Sequence, residues 1–249
     1  MTKIKFVGAL LLCLAGTAQA AEAVKYGILS LSGGTITVVN RVQEIGARVH
    51  GGKHVVQNPN LEFDETAIRA VSEELQAPHH LMLTQDRELY AAQHAMFEQP
   101  EAQAANRAFM ASLWKDKGVS HVVLVSSLRT SLDVKLRNDI ENRGKVEGLG
   151  FYIDNEVELY DHTAQTASTG LLMPFAYLKF RLLDANTLAV LAETDVKASG
   201  TSTHRIDGDA SLRAWKTLTN EQKVGYLNAL VQRAAADGVP KILRQAGLR

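Results

Sequence analysis

The sequence predicts a mixed α/β (α+β) fold: a single sheet covered by helices, with an inserted hairpin or loop region at about 129–174. Three observations predict it. Val122-Val123-Leu124-Val125 is an apolar run of strand length, suited to a strand covered on both faces. Strict alternation flanks Asp184-Ala185-Asn186-Thr187, which marks a hairpin. Helical spacing of Ile68, Val71 and Leu75, and the capping-box pattern Thr219-Asn220-Glu221-Gln222, supply helices.

The chain opens with Lys3 and Lys5 and then a short apolar run from Phe6 to Ala15. Ala18 and Ala20 form an A-x-A pattern. This is the three-part layout of a secretory signal, with cleavage expected between Ala20 and Ala21 and a periplasmic destination. The run is about half the ~20 residues that a membrane span needs. Cys13 lies between Leu12 and Leu14, inside the apolar run, and reads as a small hydrophobe rather than a lipid anchor.

Removing residues 1–20 leaves 229 residues, 25 basic against 27 acidic, and no cysteine. Such a chain has no bulk electrostatic pull on nucleic acid or anionic lipid. It has no means of thiol chemistry or zinc–thiolate binding. No linker, repeat or second span-length apolar stretch interrupts residues 21–249, so one domain is expected.

In chain order, Val24–Leu31 and Thr35–Asn40 read as two strands joined by a tight turn at Ser32-Gly33-Gly34. Arg41–Leu61 reads as irregular. Asp64 is the expected N-cap of a helix ending before Pro78. A short strand follows at Leu81–Leu83, then a helix capped by Asp86 and carrying Leu89, Tyr90 and Met96. Pro100 suits the first turn of a further helix with Ala105, Phe109 and Leu113 on one stripe and Gly118 as its stop. His121–Leu128 is a strand. In Phe175–Lys197, Ala176, Leu178, Phe180 and Leu182 share one face, while Tyr177, Lys179 and Arg181 share the other. Leu191, Glu193, Asp195 and Lys197 lie on the matching outer face of the returning strand, and opposite charges on the two outer faces are expected to pair across the hairpin, on a solvated face. The last helix carries Val224, Leu227, Leu230, Val231 and Ala234, with an interruption expected at Gly238 and Pro240.

Motifs for catalysis are sparse. There is no G-x-S-x-G, and Ser32 is followed by a strand rather than a helix, so a hairpin turn is the simpler reading. His50 and His54 flank a Gly-Gly pair, His79 and His80 point to opposite faces of a strand, and His121, His162 and His204 are isolated. Gly144, Gly148 and Gly150 lack the order of a dinucleotide fingerprint and suit a turn between strands. Asp154, Glu156 and Glu158 alternate along one face of a strand, a pattern that suits either acid–base work or protection of an edge strand. No cofactor, metal or catalytic residue is expected. The segment 129–174 mixes charge, glycine and aromatics. It is the expected ligand or partner surface, with Arg129, Gly148, Gly150, Phe151, Tyr152 and Asp154 as its residues, joined by Trp215 as an exposed aromatic.

His121-Val122-Val123-Leu124-Val125-Ser126, and Leu178 through Leu182 into Asp184-Ala185-Asn186-Thr187, resemble a pattern in two envelope families: the TolB amino-terminal domain and the curli-secretion lipoproteins. There an apolar strand precedes a strand pair turning at D-x-x-T-G, then a C-terminal helix. The resemblance runs loosely over Lys25–Ser30 and from Asp64 to the end, and is specific around Leu178–Ala192. Leu188 stands where those families have glycine. Glu147–Asp154 also resembles uncharacterised proteobacterial periplasmic proteins. The resemblance implies a non-catalytic domain serving envelope assembly or contact with another envelope protein, and supplies no catalytic residues. The alternative is a periplasmic enzyme or small-ligand binder with its site in 129–174.

Overall fold

The computed structural model describes residues 24–40, 52–136, 139–161, 166–200 and 218–249, with the backbone alone at 134–143 and 155–170. The expected signal segment, His50, His162, His204 and Trp215 lie outside the described residues. Nine strands are described: β1 (Tyr26–Leu31), β2 (Thr35–Asn40), β3 (Gly52–Gln57), β4 (His79–Met82), β5 (His121–Ser127), β6 (Arg129–Leu136), β7 (Asp139–Asp161), β8 (Thr166–Asp184) and β9 (Val190–Ser199). Five helices accompany them: α1 (Glu62–Leu75), α2 (Arg87–Ala92), α3 (Ala95–Glu98), α4 (Ala104–Ser112) and α5 (Asn220–Gln245).

The strands form one mixed sheet ordered β3-β2-β7-β8-β5-β1-β4, with β6 paired to β7 and β9 paired to β8. β8 organises it. One edge of β8 pairs antiparallel with β7 up to Tyr177 and with β5 from Leu178 onward. The other edge pairs with β9 from Phe175 to Leu183. β1 is parallel to β5, and β2 is parallel to β7. β1 and β2 therefore run in the same sense, end to end across the two halves of the sheet.

That arrangement corrects the expected glycine hairpin: β1 and β2 pair with other strands, and Ser32–Gly34 is a bend. Its cause is Asp64, which is buried. Asp64 Oδ1 accepts from Ser30 Oγ at 2.5 Å, Ser32 N at 3.0 Å and Gly33 N at 3.1 Å. Its Oδ2 accepts from Tyr90 Oη at 2.7 Å. Burial pushes this carboxyl up from its ordinary value, against those donors. A Cβ on Gly33 would stand 2.5 Å from Asp64 Oδ2, so the bend needs glycine for close approach. Asp64 is thus not the expected N-cap. The helix starts earlier, at Glu62, and Leu61 makes no side-chain cap.

The apolar positions of α1 lie where expected, with Ile68, Val71 and Leu75 buried. Asp86 does cap α2, accepting from Glu88 N and Leu89 N. Met96 belongs to a separate turn, α3. The α4 stripe is phased differently from the expectation: Phe109 is 43% exposed, while Met110 and Trp114 are buried. The segment read as irregular contains β3, paired with β2. In 129–174 the expected hairpin is β6–β7, and the remainder supplies the long strands β7 and β8. Gly144, Gly148 and Gly150 sit within β7 rather than in a turn between strands. Thr219 and Gln222 form the expected reciprocal capping box. α5 then runs without a break through Gly238 and Pro240. Gly238 is a contact point rather than a stop, since its Cβ would lie 2.5 Å from the Phe180 ring.

Period-two alternation assigns the layers. One face of the sheet, with Leu178, Phe180 and Leu182 of β8 and Val123 and Val125 of β5, is covered by α1 and α5. The opposite face is covered in two separate patches. α2–α4 and Trp114 cover Leu29, Leu31, Val122, Leu124 and Leu183. Leu132 and Val146 of the β6–β7 hairpin cover Tyr152, Met173, Phe175 and Tyr177.

At the β8–β9 turn Asp184 Oδ1 accepts from Asn186 N, Thr187 N and Thr187 Oγ1. These bonds hold its carboxyl below the usual carboxylate value. Leu188 follows at φ +54°, the left-handed region, yet its side chain is buried among α2–α4. Two opposed effects therefore meet at one residue. Truncating a buried Leu costs about 2–5 kcal/mol. A left-handed Cβ costs roughly 1–2 kcal/mol. Both variants lose the first, but Leu188→Gly sheds the second, which Leu188→Ala keeps from the parent. Urea denaturation should find Leu188→Ala the less stable of the two, the reverse of the usual order. Asp64→Ala strands several buried donors and should lower stability by about 3 kcal/mol or more in the same assay. A loss under ~1 kcal/mol would remove Asp64 from its role at the bend.

Candidate functional site

The two apolar patches on the second face leave a gap, and the strands change chemistry there. Along that face β8 reads Met173, Phe175 and Tyr177, then Lys179 and Arg181, then Leu183. β5 reads Val122 and Leu124, then Ser126, then Leu128. Lys179, Arg181 and Ser126 belong to neither patch, although Phe97 at the margin of the α2–α4 patch lies against the Arg181 guanidinium. The result is a cleft of about 720 Å³. Its floor is Lys179 and Arg181 of β8 with Val190, Glu193 and Asp195 of β9. One wall is His94, Phe97 and Glu98 from the α2–α3 segment. The other is Leu128, Arg129 and Glu147 at the base of the β6–β7 hairpin.

The cross-strand charge pairs expected from the sequence form here. Arg181 Nε lies 3.1 Å from Glu193 Oε2, and Lys179 Nζ lies 2.7 Å from Asp195 Oδ1 and 3.6 Å from Glu193 Oε1. The face is not solvated as expected, because Arg181 is only 5% exposed. Its Nη1 donates to Ser126 Oγ at 3.1 Å, and its guanidinium carbon lies 4.4 Å from the centre of the Phe97 ring. Burial pulls the Arg181 pKa down, opposed by Glu193 and Asp195.

Where the two walls meet, His94 of one and Glu147 of the other converge on Ser127 behind them. His94 Nε2 lies 3.0 Å from Glu147 Oε1 and 3.3 Å from Ser127 Oγ. Ser127 Oγ donates to Glu147 Oε1 at 3.1 Å. A Ser–His–acid relay needs the acid on one ring nitrogen and the serine on the other. Here both converge on Nε2. A Nε2–H that donates to Glu147 is not free to take the serine proton, so the three side chains form a closed hydrogen-bonded cluster. The Gln93 side chain pins the cluster by accepting from Ser127 N at 2.8 Å.

The residues expected at the site separate into two groups. Arg129 is exposed at the cleft rim, within Coulombic reach of Glu147. Gly148 is adjacent but buried, contrary to the expected surface position, at φ +66°, where a Cβ would stand 3.1 Å from the Ser127 Cβ. Gly150, Phe151, Tyr152 and Asp154 are not surface residues, which corrects the expectation. Phe151 and Tyr152 are 1% exposed and Asp154 0%, because β7 is flanked by β2 and β8 and covered on both faces. Gly150 is there for close approach: its Cβ would meet the Thr37 carbonyl oxygen at 2.0 Å. Tyr152 Oη donates to Asp154 Oδ2 at 3.0 Å, so this acid belongs to the core rather than to an edge strand. The Glu156 and Glu158 side chains lie outside the described residues.

Three of the histidines weighed as metal ligands serve local roles, and His54 is exposed on β3. His79 bonds Ser72 Oγ and the Ala77 carbonyl, His80 the Lys117 carbonyl, and His121 the Ser120 hydroxyl. Among the described residues no three His, Cys, Asp or Glu side chains are grouped to hold a metal ion. Ser32 is buried at the bend and donates its N–H to Asp64. His94, Ser127 and Glu147 come from three separate parts of the chain and carry no spacing pattern, so nothing in the sequence marks them as site residues. The break in the apolar second face of β8 at Lys179 and Arg181 was the readable signal.

Comparison with known proteins finds no family model and no curated protein that matches this chain. Among solved structures, a DUF330 protein of Xanthomonas campestris is similar with a TM-score of 0.42 and 9% identity, over 90% of this chain and 86% of that one. A hypothetical protein of Chlamydia trachomatis gives 0.41 and 11%, over 92% and 100%. A lipoprotein of Neisseria meningitidis gives 0.29 and 9%, over 78% and 92%. These neighbours are bacterial proteins of hypothetical or lipoprotein type. With TM-scores below 0.5, the similarity carries no functional argument. Among the described residues no helix is long and apolar enough to cross a membrane.

The Glu147 carboxyl is held below its ordinary value, chiefly by the His94 hydrogen bond and further by Ser127 and Arg129, against burial. A folded pKa below the unfolded 4.5 means that Glu147 adds stability above pH 4.5 and loses it as pH falls through the lowered folded value. Glu147→Gln should therefore be less stable than the parent near neutral pH, and the gap should narrow under acid. Urea midpoints from about pH 6 down to about pH 3 measure this. A gap independent of pH would mean that the carboxylate charge plays no part.

Proposed function

We propose that this chain is an exported envelope protein that works by binding rather than catalysis, with the cleft as its binding centre. The observation that carries the reading is a polar cleft of about 720 Å³ whose Ser127–His94–Glu147 cluster is closed on one ring nitrogen. That volume lies within the range of small-ligand sites. Support for export comes from the basic start, short apolar run and A-x-A site of residues 1–20, and periplasmic delivery follows from a cleavable signal. The resemblance around Leu178–Ala192 to TolB amino-terminal and curli-secretion proteins agrees with an envelope setting.

A second reading is contact with another envelope protein. It is favoured by β3, where Val55 and Val56 are each more than half exposed and which pairs only with β2 among the described residues. An edge strand of this kind can accept another strand.

Two measurements test the proposal. Fractionation with N-terminal sequencing should find the protein outside the cytoplasm and starting at Ala21. The small-molecule fraction of an envelope extract should raise its melting temperature by a few degrees. Val190→Trp fills the cleft from a 43%-exposed position in its floor and should abolish the shift. An intact leader in the cytoplasm would defeat the export reading. An equal shift in Val190→Trp would move binding away from the cleft.

A further inference from the structure

Building on the cleft as a binding centre, we infer that its ligand is a monocarboxylate with an apolar body, its carboxylate held by Arg181 with Arg129 at the rim. The argument starts from hydrogen-bonding capacity. A guanidinium offers five N–H groups. Arg181 gives one to Glu193 and one to Ser126. Three remain without a hydrogen-bond partner among the described residues, on a side chain that is 6% exposed and lines the cleft. None of the Arg181 nitrogens is fully buried without a partner, so the free N–H groups open to the cleft, where a carboxylate can replace water with charge-assisted hydrogen bonds. The acids of the floor have no such shortage, because Glu193 and Asp195 are about half exposed and already engaged by Lys179 and Arg181.

Three further features narrow the class. The Phe97 ring beside the guanidinium restricts its plane, which favours a planar acceptor able to take two N–H groups at once. The cleft carries Glu98, Glu147, Glu193 and Asp195 against Arg129, Lys179 and Arg181, a slight acidic excess that opposes a dianion such as phosphate more strongly than a monoanion. Phe97, Leu128 and Val190 give the lining an apolar part that a purely polar anion would leave unfilled.

The test is titration of the full chain, processed as isolated, with benzoate and hexanoate, against benzamide, hexanamide and inorganic phosphate. The carboxylates should bind and the matching amides bind about tenfold more weakly or worse. Arg181→Lys, checked for an unchanged melting profile, should lose about tenfold in carboxylate affinity and little for amides. Arg129→Gln changes an exposed residue and keeps the test open if Arg181→Lys fails to fold. It should weaken carboxylates about threefold and leave amides unchanged. Amides or phosphate binding as tightly as carboxylates would overturn the carboxylate assignment and leave the cleft reading standing. So would a panel that fails while the envelope fraction still shifts the melting temperature. Failure of both the panel and the fraction would overturn the two together.

Discussion

β8 is a strand with neighbours on both edges and layers on both faces, and the molecule is arranged around what its two faces bury. One face is apolar throughout, through Leu178, Phe180 and Leu182, and α1 and α5 close over it. The other face is apolar at both ends and charged in the middle. Phe175 and Tyr177 lie under the β6–β7 hairpin, and Leu183 lies under α2–α4. Burying Lys179 and Arg181 beneath either apolar patch would leave charge without compensation. Neither apolar patch takes them in: Phe97 meets Arg181 through its ring face, and β9 supplies Glu193 and Asp195 in register as partners. The cleft is a direct result of that constraint.

A second contact fixes where the cleft wall stands. Asp64 of α1 holds the bend between β1 and β2, and also receives the Tyr90 hydroxyl of α2. Gln93, one residue past α2, accepts from Ser127 N, and His94 then meets Ser127 and Glu147. One buried carboxylate thus links the apolar side of the sheet, through the bend, to the side that carries the cleft. The link explains why short helices such as α2 and α3, which have little stability of their own, hold a defined wall.

Much of the fold was legible from local pattern. The β8–β9 hairpin, the doubly buried β5, the α1 face and the capping box of α5 each depend on period or spacing within a few residues, and each formed as read. Local pattern misled where a distant partner decided the outcome. Ser32-Gly33-Gly34 has the composition of a hairpin turn, yet Asp64 takes the amide hydrogens that define its shape. Gly238 and Pro240 have the composition of a helix stop, yet Phe180 packs against Gly238 and the helix continues. The glycine-and-aromatic stretch of β7 looks like surface, but between β2 and β8 the same residues are core.

The signal-like start, the lack of cysteine after Cys13, the near balance of charge and the strand and helix periods were determined by sequence alone, because composition and short-range spacing carry them. The cross-strand pairs Lys179–Asp195 and Arg181–Glu193 were also readable, since a hairpin register is local. The tertiary structure alone decided that this charged face is buried beside Phe97. It also decided that Ser127, His94 and Glu147 meet, and that Arg129 stands at a cleft while Phe151, Tyr152 and Asp154 do not. Those outcomes depend on which elements cover which part of a sheet, a competition among residues far apart in sequence that no local pattern encodes.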